Sequence, residues 1–153
     1  MTMKAVRFTV PGAPPIVENV PIPQPGPGQV VVKIGGAGVC HSDLHVLDHG
    51  APGFHGPFTL GHENAGWVAS LGAGVTGWKL GDPVAVYGFW GCGHCHACLL
   101  SMESYCENAE HLSNNGGGIG TDGGMAEYML VPSPRLLVPL GSLAPRDAAP
   151  LTD

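Results

Sequence analysis

Charge is the scarcest commodity in this chain: Asp, Glu, Lys and Arg make up only 12% of its 153 residues, against about 25% in an ordinary soluble domain. The six basic residues, Lys4, Arg7, Lys33, Lys79, Arg135 and Arg146, are scattered, and the net charge is −6. No basic stripe is available to track phosphates, so nucleic acid is excluded as an expected partner. No apolar stretch approaches the roughly 20 residues of a membrane span, and no membrane partner is expected. The opening segment MTMKAVRFTV runs directly into strand-like alternation without the apolar core of a secretory signal, from which a cytoplasmic location is expected. So little charge also leaves part of the surface apolar, as expected where another domain covers it.

What the chain has in excess is Gly and Pro, together about a quarter of its residues, set against an apolar content of 44%. That much apolar matter argues against a low-complexity chain, and the length suits one domain with a real core. Short apolar runs at 30–39, 67–75, 83–89 and 126–131 are separated by Gly and Pro. They read as strands and turns, which predicts an all-β barrel or sandwich with few helices.

Four of the five cysteines fall within one short segment, GCGHCHACLLSMESYC, as Cys92, Cys95, Cys98 and Cys106. Two Cys-x-x-Cys steps place three sulfurs on one turn of loop, and a longer excursion returns the fourth, which is how closed structural zinc sites are built. A disulfide would need an oxidising compartment. An iron–sulfur cluster of the bacterial ferredoxin type also begins with two such steps, but its next cysteine follows after about three residues and precedes a proline; here Cys106 follows after seven and precedes Glu107. Zinc is therefore the favoured occupant. His94 and His96 interleave with the cysteines and could compete as ligands, but four thiolates already complete a tetrahedron. His49, His55 and His111 read as surface or loop residues.

The fifth cysteine opens the segment Cys40-His41-Ser42-Asp43-Leu44-His45, and Gly61-His62-Glu63 follows. Gly35, Gly36 and Gly38 allow close backbone approach, and the residues after Cys40 read as a short helix aiming several polar side chains inward. Singly, a cysteine at a strand end or one histidine is more often core than ligand. Together they suggest a second metal site with fewer protein ligands and an open position, the pattern of catalytic zinc.

The stretch Gly61-His62-Glu63-Asn64-Ala65-Gly66, with Gly72 and Val75 after it, resembles the zinc-containing alcohol dehydrogenase signature of the medium-chain dehydrogenase/reductase family. The four-cysteine segment resembles that family's structural zinc loop, and Gly81-Asp82-Pro83-Val84 resembles one of its strand openings. The resemblance implies that residues 1–153 form a mainly β, GroES-like, partly open β-barrel with short helices and a structural zinc lobe at about 91–107. It implies Cys40, His62 and Asp153 as ligands of a catalytic zinc, with Asp153 standing where most members have cysteine and a bacterial secondary-alcohol branch has aspartate. Ser42 and His45 become the first and last steps of a proton relay, Asp43 the orienter of a zinc-bound histidine, Glu63 an occasional ligand beneath the metal, and His41 a neighbour of the cofactor pyrophosphate. Zinc would acidify the hydroxyl of a primary or secondary alcohol, which could then pass hydride to NAD or NADP and leave as aldehyde or ketone.

Gly72-Ala73-Gly74-Val75-Thr76-Gly77 and Gly118-Ile119-Gly120-Thr121-Asp122-Gly123 both match the G-x-G-x-x-G dinucleotide fingerprint, but neither opens a helix, and both read as turns. No βαβ unit is visible, so the cofactor-binding Rossmann domain of the family is expected to be absent from this chain. Without it the isolated chain should be inactive, with a filled structural site and an empty or loosely held catalytic site, since Asp153 sits at a fraying end. The full-length enzyme would include the missing Rossmann domain and form a homo-oligomer. The alternative is a stand-alone zinc-stabilised β-barrel that binds a partner without chemistry, which would need the four-cysteine lobe but not Ser42 and His45 beside Cys40. A zinc-free quinone reductase relative is disfavoured because such proteins lack these ligands. Phe54, Trp90 and Ile119 are candidate walls of an apolar substrate pocket or plain core.

Overall fold

The computed structural model describes residues 1–51, 56–112 and 116–153; Phe54 and His55 lie outside the described residues. In β1 (Thr2–Phe8) Met3, Ala5 and Phe8 turn inward. The strand pairs antiparallel with β2 (Ile16–Pro21) on one edge and β4 (Phe58–Thr59) on the other. A second, five-stranded sheet runs in the order β7-β3-β5-β6-β8. Its members are β3 (Val30–Ala37), β5 (Asn64–Leu71), β6 (Pro83–Val86), β7 (Tyr128–Val131) and β8 (Leu137–Pro139). Each named pair is antiparallel, so the expected lack of a βαβ unit holds among the described residues.

Among the described residues the two sheets are joined by an isolated bridge, Ala5 opposite Ala126, extended by the Val6 amide donating to the Met125 carbonyl at 2.8 Å and the Met125 amide donating to the Leu60 carbonyl at 2.8 Å. They do not close, which makes the partly open, mainly β body that was expected. The main core lies under the larger sheet, where Val30, Val32, Val68, Val84, Val86, Met129 and Val131 pack with Trp90, Leu136 and Leu137. β-branched residues dominate because a pleated, buried face holds their stiff side chains at little cost. Helices are few and short: α1 (His41–His49), α2 (His96–Leu99) and α3 (Pro145–Ala148). Among the described residues none is long and apolar enough to cross a membrane.

Strand ends differ from the sequence reading where glycine intervenes. The run expected at 67–75 begins earlier, at Asn64, and stops at Leu71, opposite Val30 where its partner β3 begins; Gly72 follows at a close approach where a Cβ would lie 1.8 Å from the Gly26 carbonyl oxygen. Both G-x-G-x-x-G stretches are turns, with φ of 80° and 84° at Gly74 and Gly77, and 87° and 88° at Gly118 and Gly120.

Small residues let the chain end cross the larger sheet. Ala148 and Ala149 pack on Ala65 of β5 and Ala85 of β6, and a Cβ on Gly36 would stand 2.6 Å from the Arg146 Cα. That neighbour is backbone and cannot rotate away. Gly36→Ala should therefore cost about 1–3 kcal/mol of stability through overpacking, read as a lower urea midpoint; an unchanged midpoint would show that the crossing has room to spare.

Candidate metal centres

The first centre is assembled by three segments. β3 ends in close contact with the loop before β5: the Gly38 amide donates to the Glu63 carbonyl at 2.8 Å, and a Cβ on Gly38 would fall 1.8 Å from Glu63 Oε2. Cys40 then caps α1. Its amide donates to Asp43 Oδ2 at 3.0 Å, which satisfies an otherwise orphaned helix donor with a negative group at the favourable end of the helix. The same buried Asp43 presents Oδ1 3.4 Å from His62 Nδ1. The third segment is held by Thr152, whose hydroxyl accepts from the Asn64 amide at 3.0 Å and donates to the Ala149 carbonyl at 2.8 Å.

The outcome is one cluster in which ligand atoms of Cys40, His62, Glu63 and Asp153 all lie within 4.8 Å of one another. Cys40 Sγ is 3.3 Å from Asp153 Oδ2, and His62 Nε2 is 3.9 Å from Asp153 Oδ1. Donors bound at zinc distances on a tetrahedron stand about 3.3–3.6 Å apart, so the cluster is close to, and in part slightly wider than, the coordination shell of such an ion. His62 Nε2 is buried and has no hydrogen-bond partner, an arrangement that costs free energy unless something accepts its lone pair. One thiolate, one imidazole and two carboxylates form a donor set suited to a divalent transition cation.

The site as it stands holds a proton on that imidazole. The carboxylate of Asp43, and behind it the Cys40 sulfur, raise the His62 pKa from 6.5 to about 9 against the opposing effect of burial. A neutral ring would keep its hydrogen on Nδ1 toward Asp43, leaving the Nε2 lone pair pointing at Cys40 and Asp153.

The second centre is the four-cysteine lobe. Cys92, Cys95, Cys98 and Cys106 bring their sulfurs within 4.8 Å of one another, all as free thiols. Backbone amides point at the sulfurs: Cys95 donates to Cys92 Sγ at 3.3 Å, Cys92 to Cys106 Sγ at 3.3 Å and Cys98 to Cys95 Sγ at 3.5 Å. The Asn108 amide, 3.3 Å from Cys92 Sγ, and the backbone around it pull the Cys92 thiol down to about 5, whereas burial pushes Cys98 up to about 12. Four sulfurs so close cannot all ionise unless a cation shares them, and a cage prepared with amide donors is how a protein readies thiolates for one. His94 instead places Nδ1 3.0 Å from the Cys92 carbonyl, and His96 opens α2 in an exposed position. Neither belongs to the sulfur group.

The remaining sequence-predicted residues divide. Ser42 Oγ is 3.7 Å from Cys40 Sγ, beside the first cluster. His41 and His45 are exposed on the outer side of α1, so of the polar side chains expected to point inward only Asp43 is buried. Helical periodicity explains this, since positions 41, 45 and 49 share one face while 43 and 46 share the other. No hydrogen bond joins Ser42 to His45 among the described residues. Trp90 is 4% exposed within the main core and its indole donates to the Tyr87 carbonyl at 3.1 Å; Ile119 is partly exposed.

Several residues that hold these centres were not singled out from sequence. Asn108 follows Cys106 by only two positions but carries no spacing signal. Arg135 lies far from the lobe in sequence, yet its guanidinium donates to the carbonyls of Trp90 and Gly91 and pairs with Glu103 at 2.7 Å. Thr152 and Asn64 act through the backbone. A solitary basic residue in a chain this poor in charge was the available clue to Arg135.

Residues 26–142 match the alcohol dehydrogenase GroES-like domain family, and the chain belongs to that family. It is 40% identical over 158 residues to an NAD-dependent alcohol dehydrogenase of Sulfurisphaera tokodaii, covering 98% of this chain and 44% of the relative. It is 44% identical over 139 residues to D-arabinose 1-dehydrogenase (NADP(+)) of Saccharolobus solfataricus, covering 90% and 38%. The solved structure of a cobalt- and zinc-bound thermostable alcohol dehydrogenase from Pyrobaculum aerophilum superposes with a TM-score of 0.85 at 37% identity, covering 99% of this chain and 44% of that one. The chain thus spans less than half the length of the relatives it matches.

The His62 and Asp43 contact makes metal-free stability pH-dependent. A histidine that titrates near 9 when folded and near 6.5 when unfolded binds its proton more tightly in the folded state. The contribution is therefore complete below pH 6.5, shrinks as pH rises toward 9, and is gone above it. Asp43→Asn should flatten this dependence and return the His62 titration, followed by NMR, toward 6.5; a His62 that still titrates near 9 in that variant would refute the assignment of cause.

Proposed function

We propose that this chain is the zinc-binding catalytic domain of a nicotinamide-dependent alcohol dehydrogenase, with a structural zinc in the lobe at about 91–107 and a catalytic zinc at Cys40, His62 and Asp153. The observation that carries the reading is the buried, unpartnered His62 Nε2 facing Cys40 and Asp153. A binding module would have no use for such an atom. When bound, the catalytic ion would acidify a coordinated alcohol hydroxyl, and the nicotinamide would take up hydride.

The residues of this chain then have distinct work. Asp43, with Oδ1 3.4 Å from His62 Nδ1, would orient the ring so that Nε2 is offered to a metal. Cys40 and Asp153 supply negative charge, and Glu63 stands beside them as a further oxygen donor. Ser42 accepts the substrate proton because its hydroxyl both gives and takes one. His45, exposed on α1, would hand the proton to solvent because an imidazole both takes and gives one; with no hydrogen bond from Ser42 to His45, the path would need a bridging water. His41, one residue from the metal thiolate, faces outward where a cofactor phosphate could meet it.

The extra length of the relatives supports a full protein in which this domain, residues 1–153, is joined to a Rossmann domain that supplies the nicotinamide site. Substrates are primary or secondary alcohols and the corresponding aldehydes or ketones. The relatives divide between NAD and NADP, and the cofactor is taken to be one of the two. Exposed Val39, Leu44 and Leu151 suit burial against another domain, and the full-length enzyme is taken to be a homo-oligomer. The thiolate cage suits the reducing cytoplasm.

Zinc analysis tests the assignment on this chain. Because the Asp153 side chain is 53% exposed, one ion should survive dialysis and a second should bind reversibly. Cys40→Ser should abolish only the second, and Asp43→Asn should weaken it about 10–100-fold. Two ions held with equal tenacity, or a second ion indifferent to both substitutions, would overturn the ligand set. In the full-length enzyme Cys40→Ser should eliminate alcohol oxidation.

A further inference from the structure

The outer face of α1 carries a feature that neither metal centre uses. His41, His45 and His49 are spaced one helical turn apart and all three are exposed, so their rings form a row on one face. The rings of His41 and His45 have centroids 5.0 Å apart with planes inclined at 57°. Metal–nitrogen bonds of about 2.0–2.1 Å place the centres of two imidazoles sharing one ion about 4.5–5.2 Å apart, for bond angles from a right angle to tetrahedral. The pair already stands at that separation. The rings of His45 and His49 are 6.3 Å apart and inclined at 24°, stacked beyond that span.

We infer that His41 and His45 form a third metal site, a two-imidazole surface chelate for a late divalent transition cation such as Ni2+, Cu2+ or Zn2+, with water completing the coordination. Paired histidines at this helical spacing are a known way of presenting two nitrogens to one ion, and imidazole selects these cations over Mg2+ and Ca2+. The scaffold is held in place. Asp43 and Val46 are buried on the opposite face, the Cys40 amide is tied to Asp43 at 3.0 Å, and the Gly50 amide donates to the Val46 carbonyl at 2.8 Å. Little rotamer freedom beyond that of two exposed rings is lost on binding, and a chain of net charge −6 favours a cation. The inference stands on this geometry and not on the dehydrogenase reading. If that reading also holds, an ion here takes the nitrogen lone pairs that His45 needs to accept a proton.

The test is titration of Ni2+ into the untagged chain loaded with two equivalents of zinc, enough for the two centres already described and no more, followed by calorimetry and by paramagnetic broadening of the histidine ring protons. One ion should bind, the signals of His41 and His45 should broaden first, and the zinc content should not change. His41→Ala and His45→Ala should each weaken binding at least about tenfold, because each leaves a single imidazole in place of a chelate; His49→Ala should change it by less than about twofold. Wild-type affinity in H41A or H45A, equal losses in all three variants, or release of zinc in step with nickel uptake would each overturn the site. Circular dichroism of the variants separates loss of binding from loss of fold.

Discussion

One carboxylate organises the first metal centre. Asp43 accepts the amide of Cys40 through one oxygen and faces His62 with the other, so the start of α1 and the loop before β5 are brought together through a single buried side chain. Two donors far apart in sequence thereby converge on one point. Nothing in the sheets alone would impose this, because β3 and β5 set the distance between the segments but not the direction of their side chains. The cost of burying Asp43 is offset by the helix amide, and its charge is neutralised by the histidine it orients.

The second centre follows a different principle. Its order comes from short-range amide-to-sulfur hydrogen bonds within the lobe, to which the Asn108 side chain adds one more. Such a cage depends little on the barrel for its internal shape, and needs the barrel chiefly for attachment. The two centres thus divide the chain's scarce charge unequally. Acidic groups are spent on the open site, and sulfur alone lines the closed one.

The cysteine lobe was legible because its ligands are adjacent in sequence and their spacing is itself the geometry. The strands were legible from apolar runs between glycines, although their ends were not, since β5 ends at Leu71 opposite the first residue of β3, Val30, a pairing that no local pattern reveals. Cys40 and His62 were weak signals singly and suggested a second metal site only when taken together, and the resemblance then made them ligands, because a lone cysteine and a lone histidine have no periodicity to betray them. The inward aim expected of the polar residues of α1 failed for His41 and His45, as the helical repeat puts them opposite Asp43. Arg135, Thr152 and Asn64 were invisible for a common reason. Most of their partners are backbone carbonyls and amides, some three residues away and some far along the chain, and such partners leave no trace in residue identity.

Arg135 joins the lobe to the sheet through the carbonyls of Trp90 and Gly91 and the carboxylate of Glu103, and Trp90 is itself a pillar of the main core. Opening the lobe would therefore strip Arg135 of the Glu103 carboxylate and leave a carbonyl beside the core without its charged donor, so disorder in the lobe carries a cost that is shared with the hydrophobic interior.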